Sequence, residues 1–394
     1  MKGAWVLLLA VALALAMSPA GRASAGGSST GLTPLNDLGA GTYLGFQGGL
    51  YENGTNAVPA GHAAAGLAQA AAVQPLDTNG AASATGKVVL LSVGMSNTTQ
   101  EFCSGNSALP CSSWTFMGQA AVDPRVNHET LAVVNGAAGG QSAATWDELS
   151  DPNYDRVRDT RLAPQGLSEQ QVQAAWVKVA NPGPNSSLPS PTADAYTLET
   201  QMGNIVRVMK MRYPNLRLVF LSSRIYAGYA TTTLNPEPYA YQSGFSVKWL
   251  VQAQVDQMRN NGVPVDPRAG DLNYGGGAPW VAWGPYLWAD GLVPRSDGLV
   301  WLQADLQPDG THPSPSGQEK VGTMLLDFFT SSPFVRSWFL AGVGGRAEAP
   351  SIGEASSARA RLARDSAVAT GALGVVAAAG AAYLAFRRAR ARRL

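Results

Sequence analysis

The chain has only three histidines and two cysteines in 394 residues, and charged residues make up 14% of it. So few histidines leave little choice for a general base. Two cysteines fall short of the ligand count and spacing that a metal site uses. A formal net charge of +1 implies no nucleic acid or other polyanion as partner. Low charge beside 44 glycines and 25 prolines suits an extracellular domain with long ordered loops better than a helical bundle. Neither a metal nor an organic cofactor is signalled.

Long apolar runs are also scarce, and the two that exist stand at the ends. Residues 1–25 carry Lys2, an apolar stretch from Ala4 to Met17 and the small-residue close Ala23-Ser24-Ala25, the pattern of a cleaved export signal. Ser366 to Phe386 is 21 residues without a charge, long enough to cross a bilayer once. Arg387, Arg388, Arg390, Arg392 and Arg393 follow it, which leaves the C-terminus in the cytosol and the preceding chain outside. The expected protein is therefore exported and held in the cell membrane by a single helix. In that oxidising setting Cys103 and Cys111, which flank Gly105 and Pro110, are expected to close a loop disulfide.

Residues 26–86, rich in glycine and alanine, read as an extended leader. After it come four short apolar runs: Lys87–Val93, Thr130–Val134, Ala174–Val179 and Leu216–Leu221. Their length and β-branched content predict strands buried on both faces. Helical spacing of Leu198, Met202, Ile205, Val206 and Met209 predicts a helix over Tyr196–Tyr213, stopped by Pro214. Val247, Leu250, Val251, Val255 and Met258 predict another over Phe245–Asn260. Strands alternating with amphipathic helices imply crossover units and a doubly wound sheet, whose ligand site lies beyond the carboxyl ends of the strands.

The unusual residues fall at those ends. Gly94-Met95-Ser96-Asn97 follows the first strand, Asn135-Gly-Ala-Ala-Gly-Gly140 the second and Asn181-Pro-Gly the third, and Asp309-Gly-Thr-His312 lies near the end of the domain. A serine nucleophile needs a base, a carboxylate that orients the base, and donors for an oxyanion. Of His62, His128 and His312, only His312 has a carboxylate three residues before it, where one tight turn brings the two together. Arg224 and Tyr226, just past the fourth strand, could line the site or equally solvate the edge of the sheet. The segment Ala278–Trp288 is the densest aromatic stretch, with Trp301 beyond it, and could offer flat rings to a sugar.

The order of these four blocks resembles that of the SGNH hydrolases, or GDSL-like esterases, over roughly Val88–Ser332. The first block departs from the family's Gly-Asp-Ser, with Met95 in the middle, and the third reads Val179-Ala180-Asn181-Pro182. Gly-x-Ser-Asn with a later Ala-Gly-Gly-Gln looks closer to the carbohydrate-acetylesterase branches than to the lipase branches. The resemblance implies a three-layer α/β/α flavodoxin-like sandwich with a mostly parallel sheet over 87–342; hydropathy and charge place a linker (343–365), the spanning helix (366–386) and an Arg-rich cytoplasmic tail (387–394) after it. It implies Ser96 as nucleophile, His312 as base and Asp309 as its partner, with the N–H groups of Ser96 and Gly140 and the Asn181 side chain as oxyanion hole; Gly139 competes with Gly140. Asn97, Trp283 and Trp288 are candidate substrate contacts.

The expected activity is removal of an acyl group, acetyl above all, from a carbohydrate or related ester through an acyl-serine intermediate. A binding module that kept the fold and lost the chemistry, and an acyltransferase on the same scaffold, are the alternatives.

Overall fold

The structure, a computed structural model, describes residues 29–103 and 109–342. The expected export signal, linker, spanning helix and arginine tail lie outside the described residues. Among those described, no helix is long and apolar enough to cross a membrane.

Five strands make one all-parallel sheet: β1 (Val88–Gly94), β2 (Leu131–Asn135), β3 (Val172–Lys178), β4 (Leu218–Leu221) and β5 (Trp280–Trp283), in the order β2-β1-β3-β4-β5. The first four are the apolar runs read from the sequence. Every position of β1, β3 and β4 is buried, as a parallel sheet covered on both faces requires. The strand order is that of flavodoxin-like doubly wound sheets.

The main helices are α1 (Ala60–Ala71), α2 (Ser96–Phe102), α3 (Phe116–Val122), α4 (Asp194–Arg212), α5 (Tyr239–Arg259) and α6 (Pro315–Ser331). Five of them fall into two groups, α4 with α5, and α2 and α3 with α6, while α1 packs on β4 and β5. The apolar stripe of α4 is buried as its spacing predicts, and Lys210 and Arg212 in its last turn face the negative end of the helix dipole before Pro214. The second predicted helix begins at Tyr239 instead of Phe245, because its first turns bury Gln242, Ser243 and Ser246, polar residues that an apolar-period search passes over.

Residues 29–86 are not an extended leader. A short hairpin, Thr42–Tyr43 against Phe46–Gln47, lays its aromatic rings on α5: Tyr43 stacks on Phe245 at 5.7 Å and Phe46 lies 5.3 Å from Trp249. The alanine run forms α1, since alanine is the strongest helix former. α1 packs over β5 through Gly66, where a Cβ would come within 2.4 Å of the Trp280 ring.

Candidate active site

β1 ends on Gly94, where no side chain fits: a Cβ would lie 2.1 Å from the Lys178 carbonyl oxygen. Met95 is still extended, and Ser96 opens α2. The chain thus turns from strand to helix with Ser96 at the carboxyl edge of the sheet. β1 has β2 on one side and β3 on the other, so this edge is the point where the strand order reverses, the place open parallel sheets use for ligands.

The Asp309–His312 turn meets Ser96 from the far end of the domain. Gly310 has φ 62°, and a Cβ there would sit 1.9 Å from the Tyr229 carbonyl oxygen, so glycine alone fits. Asp309 Oδ1 accepts the backbone N–H groups of Thr311 (2.9 Å) and His312 (3.0 Å). Its Oδ2 lies 2.6 Å from His312 Nδ1, and His312 Nε2 lies 2.8 Å from Ser96 Oγ. Partial burial raises the Asp309 pKa, but the backbone N–H of His312, the His312 ring and the Thr311 N–H outweigh it and hold the carboxyl below its ordinary value. Asp309 is therefore ionised across the neutral range.

The other histidines are occupied elsewhere. His62 Nε2 meets the Val281 carbonyl oxygen at 2.8 Å and its ring stacks on Trp280. His128 Nε2 meets the Asp123 carbonyl oxygen at 3.0 Å on the surface.

The glycine block is tied to the end of β1 by the Ala138 N–H, which donates to the Gly94 carbonyl (3.2 Å). A Cβ built on Gly139 would lie 4.0 Å from Ser96 Cβ; one built on Gly140 meets nothing within 4 Å. Gly139 is thus the glycine of the block that comes near Ser96. Asn181 stands beyond the end of β3, 8% exposed, with one amide N–H given to the Asp194 carbonyl at 3.0 Å. An amide carries two such hydrogens, so a second remains.

Three expected substrate contacts are corrected. Asn97 is 1% exposed and spends its amide on the Thr311 carbonyl (3.0 Å), pinning the histidine turn to α2. Trp283 and Trp288 are buried: their indole N–H groups donate to the Leu50 carbonyl (2.8 Å) and to Glu237 Oε1 (2.7 Å). Trp301 is buried as well, so these rings are core, not a sugar platform.

Beneath the site lies an ion pair that composition could not reveal. Lys178, the last residue of β3, contacts both carboxylate oxygens of Glu101 on α2, and both side chains are fully buried. Burial pushes Lys178 down to about 8 and Glu101 up, each towards its neutral form. Just past α2, Cys103 is bonded to Cys111, as expected. No group of three or more metal-ligating side chains gathers among the described residues.

No protein-family model and no curated protein matches the chain. Similar solved structures include a carbohydrate esterase family 2 enzyme with a carbohydrate-binding domain from Corynascus thermopiles (Myceliophthora fergusii). It is 12% identical, with TM-score 0.34 over 62% of this chain and 66% of that one. A GDSL-like lipase from Parabacteroides merdae is 11% identical, with TM-score 0.33 over 65% of this chain and 97% of that one. An extracellular lipase from Streptomyces rimosus is 13% identical, with TM-score 0.29 over 61% and 97%.

Proposed function

We propose that the chain is a serine hydrolase of ester bonds that removes an acyl group, acetyl above all, from a carbohydrate or related ester. One observation carries this reading: a continuous hydrogen-bonded line from Asp309 through His312 to Ser96, at 2.6 and 2.8 Å, at the switch point of the sheet. Ser96 Oγ attacks the ester carbonyl while His312 Nε2 takes its proton, and Asp309 holds the imidazole in the tautomer that can accept it. The oxyanion is met by the Ser96 N–H, a glycine-block N–H and the second amide hydrogen of Asn181. Collapse breaks the ester C–O bond, and the alcohol leaves with the proton from His312. Water, deprotonated by the same imidazole, then attacks the acyl-serine and frees the acid and Ser96. An alcohol in place of water makes the same scaffold an acyltransferase.

The test is mass spectrometry of the folded protein after treatment with a fluorophosphonate, beside Ser96→Ala and His312→Ala. The expected result is one adduct, on Ser96, absent from Ser96→Ala and strongly reduced in His312→Ala, with aryl acetate hydrolysis that falls as acid protonates the base. A folded protein that takes no adduct belongs to the binding-module class instead. The sequence at the two ends supports the further proposal that this activity works outside the cytoplasm, exported and anchored by the segment Ser366 to Phe386.

A further inference from the structure

α2 begins on Ser96 and is seven residues long, too short to be stable by itself. Its buried polar side chains tie it to the sheet one by one. The Asn97 amide holds the histidine turn through the Thr311 carbonyl. The Thr98 hydroxyl donates to the Lys178 carbonyl (2.6 Å) and accepts the Met95 N–H (3.2 Å), which fixes the bend that leads into Ser96. Thr99 Oγ1 accepts from the Asn135 amide at the end of β2 (2.7 Å). Glu101 meets the Lys178 ammonium with both carboxylate oxygens. Lys178 thus grips the helix twice, by its carbonyl near the start and by its side chain near the end. It is the last residue of β3 and the register partner of Gly94, the last residue of β1.

Stability does not call for an ion pair at this place. Both side chains are 0% exposed, and the cost of taking two charges out of water offsets most of their attraction. Apolar side chains of like volume stabilise a core as well or better. What apolar packing lacks is direction, whereas a carboxylate that accepts with both oxygens from one ammonium leaves few arrangements open. Direction matters at the other end of the helix, where Ser96 Oγ has to stay 2.8 Å from His312 Nε2. Five residues of helix separate Glu101 from Ser96, about 7–8 Å along the axis, so a tilt at one end is felt at the other.

We propose, resting on the reading of Ser96 as nucleophile, that Lys178 and Glu101 are a positioning pair: acting through α2, they set the direction of the Ser96 hydroxyl towards His312. Neither touches the reacting atoms. Removing Glu101 alone would leave the Lys178 charge beside that of Arg224, which acts on both members of the pair, so both ends are changed together.

The test uses the full chain with Lys178→Met and Glu101→Met combined, an apolar pair of similar length. Its urea midpoint is expected to equal or exceed that of the parent. Fluorophosphonate labelling of Ser96 should slow by about tenfold or more, and on an aryl acetate kcat should fall likewise while KM stays within about threefold. The nitrogen-15 resonance of His312 Nε2 should move away from that of a hydrogen-bonded ring. A folded double variant that labels Ser96 at the parent's rate, with that resonance unmoved, overturns the proposal. Should the double variant fail to fold, Glu101→Asp keeps the charge and withdraws the oxygens by one methylene. It is expected to slow labelling by about threefold or more and to move the same resonance; an unchanged rate and resonance overturn the proposal. A parent chain that takes no adduct overturns the hydrolase reading, and the resonance then decides by itself whether the pair sets the Ser96–His312 contact.

Discussion

At the scale of single residues, the glycine block sets up a clean experiment. Gly139→Ala brings a methyl to 4.0 Å from Ser96 Cβ, beside the hydroxyl that the proposed reaction uses. Gly140 has φ 76° and open space around it, so Gly140→Ala meets backbone strain and no neighbour. Left-handed strain costs an alanine about 1–2 kcal/mol. Gly139→Ala is expected to lower kcat/KM on an aryl acetate by about tenfold or more at near-unchanged stability, since small misplacements at a reacting centre are costly. Gly140→Ala is expected to lower stability by about 1 kcal/mol with less than threefold change in rate. The opposite pattern would assign the approach to Gly140. Why Ser96, Asp309 and His312 could be picked out beforehand is also a residue-scale matter: with three histidines in the chain, a carboxylate one turn away narrows the choice to one. Asn97, Trp283 and Trp288 were misread because whether an amide or indole turns inward is decided by partners far away in sequence, Thr311, Leu50 and Glu237.

At the scale of elements, runs of Val, Leu and Phe announce β1 to β4, while β5 is hidden by its composition, two tryptophans around Val281 and Ala282. α1 is hidden in the same way, in an Ala/Gly stretch whose composition reads as low complexity. The contact between these two elements carries its own pH dependence. Burial between α1 and β5 pushes the His62 pKa down to about 4 from 6.5, against a smaller opposing pull from the Val281 carbonyl. The folded chain therefore binds fewer protons than the unfolded one between those values. The stability His62 contributes is complete above about pH 6.5 and drains away as the pH falls towards 4. Urea unfolding at pH 7 and pH 4.5 should show roughly 2–3 kcal/mol of acid loss from this one group. His62→Phe, which keeps a ring against Trp280, should lose less stability on acidification by about that amount. Equal acid losses in the two proteins would mean that His62 is not held neutral.

At the scale of the whole molecule, what sequence conveys and what it withholds divide along one line. Strand–helix alternation and the placement of odd residues after strands are local, and they yield the parallel sheet and the edge where Ser96, Asp309 and His312 meet. The Lys178–Glu101 pair depends on which strand lies beside which, and β1 is joined to β3 only across a long stretch of chain. That arrangement also bears on where the protein works. The Cys103–Cys111 bond sits close after α2, and such bonds persist in oxidising compartments, in keeping with an exported domain. If the chain is exported and held by Ser366 to Phe386, the full-length protein made in a bacterial host should sediment with membranes. Protease added to intact cells should then remove the domain and leave only a short C-terminal fragment. A version ending at Gly342 should be released in soluble form. Full-length protein that is protease-protected in intact cells, with Cys103 and Cys111 as free thiols, would overturn the export proposal, and the proposed ester substrate would then have to lie inside the cytoplasm.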